Sequence, residues 1–244
     1  MTTAGGSVAT PARISVVLPV FNERENIAPC LTGLWRALAD VEHEILVCYD
    51  FDEDTTLEGI RAMGSAAPRS VRLVKNTLGR GPHKAIQAGF QAATGDVVVT
   101  TMADLSDPPE VILPMAEAIR AGAAVVSGSR YMPGGSQKGG PLLKRTLSRI
   151  AGVSLAWVGH VGTCDATSNF RAYSKRFLDA TTIEATAGFE IALELTVKAH
   201  LAGAGVGEVP SSWVDRTAGE SRFRLWKWLP NYLRWYLRAM REPL

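Results

Sequence analysis

Short apolar runs rich in β-branched residues alternate with segments of helical periodicity along the first half of the chain. Strands are predicted over residues 14–20, 44–48, 71–74, 97–101 and 123–127. Helices are predicted between them, over residues 24–38, 56–63, 82–93 and 108–121. Strands that alternate with helices at this spacing predict an α/β fold, with a mostly parallel central sheet and helices on both faces.

The alternation weakens after Arg130. Residues 131–141 are rich in glycine and are predicted to form a mobile loop. Helices are predicted over residues 142–159 and 189–201, and a short strand over residues 206–209. We interpret this half as an extension of the first unit and not as a separate domain.

Composition and charge exclude several classes of protein. The 244 residues are 46% hydrophobic and 20% charged, which is typical of a folded globular protein, and the net charge of +2 gives no reason to expect nucleic acid as a partner. Cys30, Cys48 and Cys164 are odd in number and widely spaced, so neither a disulfide framework nor a zinc site is predicted, and a reducing compartment fits. No uncharged stretch is long enough to span a bilayer. Residues 1–12 are expected to be disordered and lack the features of a signal peptide.

Acidic residues follow three of the predicted strands at the point where each strand ends. Because the carboxyl ends of parallel strands share one edge of a sheet, these acids are expected to line one cleft, where α/β sheets bind ligands. Their hard oxygen atoms suit Mg²⁺ or Mn²⁺ together with substrate phosphates. The alternative is an acidic strand-to-helix turn in which Asp107 only caps the next helix. The acids are Glu23 after the first strand, Asp50, Asp52 and Asp54 after the second, and Asp104 and Asp107 after the fourth.

Four segments carry a resemblance to a known family. Residues 17–23 (VLPVFNE) are similar to the opening strand and loop of the family 2 glycosyltransferases. Residues 128–131 (GSRY) and 141–148 (PLLKRTLS) resemble the polyprenyl-phosphate branch, which is typified by dolichol-phosphate mannose synthase. Residues 165–171 (DATSNFR) match its D-x-T-S-G-F-R segment with Asn169 in place of glycine, and residues 209–222 match its C-terminal phosphate-binding stretch. Together these segments extend over almost the whole chain.

The resemblance implies a GT-A fold and assigns roles to individual positions. Residues 13–222 would form the glycosyltransferase domain, with a donor half over residues 13–130 and an acceptor half over residues 131–222. Asp104 and Arg130 would be the catalytic residues. The donor nucleotide would contact Pro19, Phe21, Glu23, Asp50, Ala103, Arg216 and Arg222. The acceptor phosphate would contact Arg130, Lys144, Arg145 and Ser148.

One departure from the family pattern concerns the metal. The family has Asp-x-Asp where this chain has Met102-Ala103-Asp104, and a thioether is a poor ligand for hard Mg²⁺ or Mn²⁺. The metal site is therefore expected to consist of Asp104 with Ser106 or Asp107, or to rely on the phosphates of the donor.

The implied reaction is an inverting transfer of a hexose of the mannose or glucose type. The donor would be a GDP- or UDP-linked sugar, the acceptor a polyprenyl phosphate, and the place the cytoplasmic face of the cell membrane. A metal and arginine side chains would stabilise the leaving diphosphate, and an acceptor that is already anionic needs no strong general base. Two alternatives stay open: a family 2 enzyme with a polysaccharide or small-molecule acceptor, and a catalytically silent nucleotide-sugar-binding protein.

The C-terminal segment, residues 223–244, has the pattern of a basic amphipathic helix. Basic and amide side chains recur on one narrow face, and Trp, Tyr and Leu fill the rest of the surface. This pattern predicts a peripheral helix on an anionic membrane surface. The alternative is that the wide apolar face packs on the body of the protein or on a second subunit of a homo-oligomer.

Four further side chains have two interpretations each. His83 is interpreted as a helix-start residue that could approach a phosphate. Glu190 and Glu194 either face solvent or lie near the acceptor. Arg171 either pairs with Asp165 or contacts a ligand.

Overall fold

The computed structural model describes residues 13–186, 188–215 and 225–241, without the side chains of Lys144 and of residues 225–228. The expectation for residues 1–12 and the roles predicted for Arg216 and Arg222 concern positions outside the described residues.

A seven-stranded sheet forms the centre of the molecule, in the order β3-β2-β1-β4-β7-β5-β8. All neighbouring strands are parallel except β7, which is antiparallel to both β4 and β5. The predicted mostly parallel sheet is therefore confirmed. The strands are β1 (Ile14–Pro19), β2 (His43–Tyr49), β3 (Val71–Lys75), β4 (Val97–Thr100), β5 (Val125–Ser129), β6 (Ser136–Lys138), β7 (Arg171–Ser174), β8 (Val206–Pro210) and β9 (Ser212–Val214).

Helices cover both faces of the sheet, because successive strand residues point to opposite sides and both sides are apolar. In β4, Val97 and Val99 pack with α1 and α4, whereas Val98 packs with α3 and α7. The helices are α1 (Arg24–Ala37), α2 (Thr55–Met63), α3 (Pro82–Ala92), α4 (Ile112–Arg120), α5 (Leu142–Trp157), α6 (Lys175–Ala180), α7 (Ile191–Leu201) and α8 (Leu225–Arg241).

The strand β7 is the main element of the sheet that the sequence pattern did not predict. Only four residues long, it begins with a charged side chain, Arg171, so it lacks the apolar run typical of a central strand. It nevertheless lies between β4 and β5, and its first three residues are buried. Both terminal nitrogens of its guanidinium donate to polar partners inside the protein, while the buried Nε has no partner among the described residues.

Residues 131–141, predicted to form a mobile loop, contain a short strand that the sequence pattern did not predict. Ser136–Lys138 form β6, which pairs in parallel with β9. The backbone N–H of Asp215 donates to the carbonyl of Lys138 (2.9 Å), and its carboxylate accepts from the N–H of Gly140 (3.1 Å). The glycines are needed because Gly139 has a φ of 81°, a conformation that residues with a Cβ rarely adopt.

The apolar face of the C-terminal helix, predicted to lie on a membrane, packs in part on the body of the protein. Trp235 and Ala239 of α8 are buried against Leu155 of α5 and against Leu193 and Val197 of α7. The alternative, packing on the body, therefore holds for Trp235 and Ala239, whereas Leu233 and Leu237 are exposed and the predicted membrane contact stays a prediction for them. No helix in the described part of the chain is long and apolar enough to cross a bilayer.

Candidate active site

The carboxyl ends of β1 and β2 bring together the residues predicted to hold a nucleoside. Pro19 ends β1, and the Phe21 ring, 41% exposed, packs edge-on against Phe51 with centroids 5.4 Å apart. The carboxylate of Asp50 accepts one hydrogen bond from the Asn76 side chain (2.7 Å) and one from the N–H of Gly81 (2.9 Å). Asp50 therefore joins the loops that follow β2 and β3, and its predicted contact with the base stays a prediction.

Two acids that follow β2 have structural roles. Asp54 caps α2 by accepting from the N–H of Thr56 (2.9 Å), and it also accepts from the N–H of Asn22 (2.9 Å). Asp52 forms an exposed ion pair with Lys75. Asp54 thus connects the loops that follow β1 and β2, whereas Asp50 connects the loops that follow β2 and β3.

The loop after β4 carries the residues predicted to hold a metal. Asp104 is buried and accepts from the N–H of Ser106 (3.2 Å), while Leu105 between them has a φ of 62°. Such a conformation of a residue with a Cβ costs about 1–2 kcal/mol and is found mainly at functional sites. The strand β9 also holds this loop in place, because the N–H of Val214 donates to the Ser106 carbonyl (3.2 Å).

These residues fit a hard divalent cation. The hydroxyl oxygen of Ser106 is buried, and within the described part of the chain it has no hydrogen-bond partner. Burial, together with the negative charge of Asp104, raises the pKa of Asp107 to about 7. Since the described residues include no cluster of three acids, histidines or cysteines, phosphate oxygens of the donor would complete the coordination.

Met102 and Ala103 belong to the same loop but have different surroundings. Ala103 is buried in the core, whereas Met102 lines a pocket of about 310 Å³ together with Cys30, Ser106 and Asp107. Because a thioether is a poor ligand for a hard cation, Met102 does not replace the missing carboxylate. Burial, with a smaller contribution from Asp104, raises the pKa of Cys30 to about 12, so this thiol stays protonated.

Arg130 follows β5, on the side of β4 away from β1 and β2, and Asp165 holds it in one orientation. The guanidinium donates from Nε (2.7 Å) and Nη2 (2.9 Å) to the two carboxylate oxygens, and the Arg130 N–H donates to one of them as well (3.1 Å). Burial alone would lower the pKa of Arg130, but the carboxylate of Asp165 outweighs it and raises this pKa above its ordinary value. Nη2 also donates to the Ser148 hydroxyl (3.2 Å), which shares a hydrogen bond with Thr167 (2.5 Å).

The remaining nitrogen of Arg130, Nη1, has no hydrogen-bond acceptor among the described residues. Arg130 lines a pocket of about 620 Å³ together with Tyr131, Arg145, Arg149 and the loop that leads to β6. Three guanidinium groups around one pocket are a strong site for a phosphate, because each can form two parallel hydrogen bonds to phosphate oxygens. The structure thus brings together Arg130, Arg145 and Ser148, three of the four residues predicted for the acceptor phosphate. The side chain of the fourth, Lys144, is not described.

Arg149 was missed by the sequence analysis. It lies one helical turn after Arg145, and this spacing on a helix was the signal that could have identified it.

The four side chains with two interpretations are now placed. Glu190 and Glu194 do not face solvent: both are fully buried, and Glu194 pairs with Lys198 (2.8 Å). Arg171 does not pair with the Asp165 carboxylate, because it donates to the Asp165 carbonyl (2.6 Å) inside the core. His83 is buried at the start of α3, and burial lowers the pKa of its ring.

The fold and the two sides of this cleft define a glycosyltransferase. The family model for glycosyl transferase family 2 matches residues 15–181. The chain therefore belongs to glycosyl transferase family 2, as the sequence motifs predicted.

Curated relatives are similar over most of the chain. A dolichol-phosphate mannosyltransferase of Pyrococcus furiosus is 32% identical over 94% of this chain, and the chain spans 64% of that protein's length. A polyprenol monophosphomannose synthase of Mycolicibacterium smegmatis is also 32% identical, over 88% of this chain and 83% of its own length. A dolichol-phosphate mannosyltransferase of Saccharomyces cerevisiae is 31% identical over 85% of this chain and 80% of its own length.

A solved structure confirms the GT-A fold. It is glucosyl-3-phosphoglycerate synthase from Mycobacterium tuberculosis, crystallised with Mn²⁺, uridine diphosphate and glucosyl-3-phosphoglycerate. It matches with a TM-score of 0.68 over 96% of this chain and 81% of that chain, at 20% sequence identity.

Proposed function

We propose that this protein transfers a hexose from a nucleoside-diphosphate sugar to a polyprenyl phosphate, with inversion at the anomeric carbon. An oxygen of the acceptor phosphate attacks the anomeric carbon, the bond from that carbon to the donor's β-phosphate oxygen breaks, and a nucleoside diphosphate leaves. The observation that carries the proposal is the pocket lined by Arg130, Arg145 and Arg149, since it is built for a phosphate.

The acceptor needs no general base, because a phosphate monoester is already anionic at neutral pH. The described acceptor side agrees with this requirement. The described side chains that line the pocket include cations, hydroxyls and the Gln137 amide but no carboxylate, and the nearby Asp165 is fully buried and occupied by Arg130. The sugar types named by the Pyrococcus and Mycolicibacterium relatives favour mannose as the transferred hexose.

On the donor side, Asp104 and Ser106 would hold Mg²⁺ or Mn²⁺ when it is bound with the nucleotide. The metal would neutralise charge that develops on the leaving diphosphate. The Mn²⁺ and uridine diphosphate named for the Mycobacterium structure support the metal class, and the donor base stays open between guanine and uracil.

A second candidate is transfer to a small phosphorylated acceptor. It is favoured by the same pocket, because the structural neighbour was crystallised with a sugar-phosphoglycerate product and a phosphate does not itself report what it is attached to. A lipid acceptor and a small acceptor would both need Arg130.

The test measures transfer of radiolabelled sugar from a panel of GDP- and UDP-linked hexoses in the presence of Mg²⁺ or Mn²⁺. Polyprenyl phosphate and 3-phosphoglycerate are offered in parallel reactions. Label in the organic-extractable product supports the proposal and identifies the sugar. Label only in the water-soluble product supports the second candidate, and no label from any donor contradicts both.

A further inference from the structure

The helix α5, which carries Arg145 and Arg149 of the arginine pocket, receives little support at its first turn. Its N-cap residue is Pro141, and among the described residues no side chain forms a capping hydrogen bond there. Leu142 and Leu143 are 69% and 58% exposed, so packing does not hold the first turn either. Because the first N–H groups of a helix have no partner inside it, an unsupported start frays. The segment before the helix therefore decides how firmly its start is held.

The turn before α5 packs on Asp215, which follows β9. Gly139 and Gly140 connect β6 to Pro141 with φ angles of 81° and 77°, in the left-handed region. The Asp215 carboxylate accepts from the N–H of Gly140 (3.1 Å), and its own N–H donates to the Lys138 carbonyl (2.9 Å). A Cβ on Gly139 would lie 2.8 Å from the Cβ of Asp215, so the two residues are in direct contact. Asp215 thus holds three successive residues of the turn.

The same end of β9 is fixed to the loop that carries Asp104. The N–H of Val214 donates to the Ser106 carbonyl (3.2 Å), whereas the N–H of Asp215 donates to Lys138. Backbone hydrogen bonds therefore run from the loop after β4, through the end of β9, to the turn before α5. This connection places the start of α5 relative to the donor side of the cleft.

We propose that Asp215 is a positioning residue of the acceptor pocket. By holding the Gly139–Gly140 turn it fixes the first turn of α5, and so it places Arg145 in the pocket with Arg130. Arg145 belongs to that first turn, because its N–H donates to the Pro141 carbonyl (3.1 Å). The proposal rests on the proposed phosphate acceptor. A guanidinium binds a phosphate with two parallel hydrogen bonds only when its planar fork is oriented, so a loose helix start would weaken acceptor binding.

The experiment measures steady-state sugar transfer by the wild type and three variants. Asp215→Ala removes the group that accepts from the Gly140 N–H, whereas Asp215→Asn keeps an oxygen that can accept this bond. Asp179→Ala is the matched control, because this carboxylate is also exposed and forms an ion pair with Lys175 of its own helix. We expect the acceptor KM of Asp215→Ala to rise about fivefold to tenfold, with the donor KM unchanged. The other two variants should stay within about twofold of the wild type.

Hydrogen exchange tests the turn in the absence of any substrate. Amide exchange followed by mass spectrometry compares residues 138–146 with the helix α7 of the same protein. We expect Asp215→Ala to speed exchange in residues 138–146 by about fivefold or more, and Asp215→Asn to exchange as slowly as the wild type. Exchange in α7 should stay unchanged, because a variant that had only lost global stability would speed exchange in both segments.

Three kinetic results would overturn the positioning role. The first is a wild-type acceptor KM in Asp215→Ala. The second is an equal rise in Asp215→Asn, because the charge and not the hydrogen bond would then act. The third is a donor KM that rises as much as the acceptor KM, which would place Asp215 on the donor side.

Failure of the proposed function gives a different result. No transfer by the wild type to polyprenyl phosphate or to 3-phosphoglycerate would overturn the proposed function together with the acceptor role of Asp215. Unchanged hydrogen exchange in Asp215→Ala, with normal transfer by the wild type, would overturn the positioning role alone.

Discussion

Two arginines approach Asp165, and they differ in what their guanidinium groups can reach. Arg130 follows the end of β5, and the carboxylate of Asp165 holds two of its nitrogens while the third is available to the pocket. Arg171 begins β7 in the middle of the sheet and has no exposed surface. Its donors contact the carbonyls of Asp165 and Ala192 and hydroxyls of the core.

The difference separates a binding arginine from a structural one. Burial lowers the pKa of Arg171, with Tyr173 and Asp165 acting in the opposite direction, whereas the full carboxylate contact raises the pKa of Arg130. Both arginines lie in segments that resemble family motifs, so motif membership did not distinguish them. Their positions distinguish them, because Arg130 follows the end of a strand whereas Arg171 lies within the sheet.

The largest effect is expected on activity, for Arg130→Lys. A lysine can still pair with Asp165, but it cannot hold the carboxylate and a phosphate at once with a planar fork. We expect kcat/KM for the phosphate acceptor to fall about 100- to 1000-fold, by analogy with the loss of one pre-oriented donor, and nucleotide binding to stay unchanged. Arg120→Lys, at the exposed end of α4, is the control. An unchanged acceptor KM and kcat would contradict the role of Arg130.

Arg171→Met is expected to act on stability. The substitution leaves buried carbonyl and hydroxyl groups without their donor, so the free energy of unfolding should fall by about 3 kcal/mol. Denaturant unfolding followed by circular dichroism measures the change. A variant that keeps its stability and loses only acceptor binding would place Arg171 in the site and not in the core.

Asp165→Asn tests whether this carboxylate positions Arg130. The amide keeps the size of the side chain but loses the charge that fixes the guanidinium, so we expect acceptor KM to rise about tenfold. In an Arg130→Met background, where residue 130 cannot pair with Asp165, the same substitution should have little further effect, because the two residues act through one interaction. Independent, additive effects in this double-mutant cycle would refute the coupling.

The pKa of Asp107, raised to about 7 by burial and by Asp104, gives a stability change with pH. Between about pH 4 and pH 7 the unfolded chain ionises this carboxyl while the folded protein keeps it protonated, so stability should fall as the pH rises through this interval. We expect a loss of about 1–3 kcal/mol in EDTA-treated protein. Asp107→Asn should remove this part of the pH dependence, and an identical profile for the variant would refute it.

The smallest expected effects are on metal binding. They have opposite signs for Ser106, whose hydroxyl can bind a hard cation, and for Met102, whose thioether is a poor ligand for one. Ser106→Ala is expected to weaken Mn²⁺ binding with nucleoside diphosphate by about three- to tenfold, and Met102→Asp to strengthen it by a similar factor. Electron paramagnetic resonance of free Mn²⁺ measures both, with Ser65→Ala on the surface as the control. Equal affinities in all four proteins would exclude this loop as the metal site.

The donor half was predictable because its strands are apolar runs and its acids follow them directly. Periodicity located β1 to β5 to within a few residues and placed Asp50 and Asp104 at one sheet edge. It could not locate β7, whose Arg171 donates from its terminal nitrogens to residues distant in sequence. It also did not separate Asp54, a helix cap, from Asp50, because an acid in a loop does not itself show which backbone N–H groups its carboxylate accepts from.

The acceptor half was predictable mainly through its motifs. Arg130, Arg145 and Ser148 were identified by resemblance, and the pocket that contains Arg149 became evident only in three dimensions. The amphipathic pattern of α8 and the exposed face of α5 show why the sequence alone did not reveal how these helices pack. A helical pattern reveals which side is apolar, but not which neighbour covers it.

The most direct test compares polyprenyl phosphate with the corresponding polyprenol as acceptors for wild-type protein and Arg130→Lys. Both lipids are offered in the same detergent with labelled donor sugar and Mn²⁺. The account predicts that the wild type labels only the phosphorylated lipid and that the variant loses most of this label. Equal labelling of polyprenol, or full activity of the variant on polyprenyl phosphate, would contradict a phosphate-binding acceptor pocket centred on Arg130.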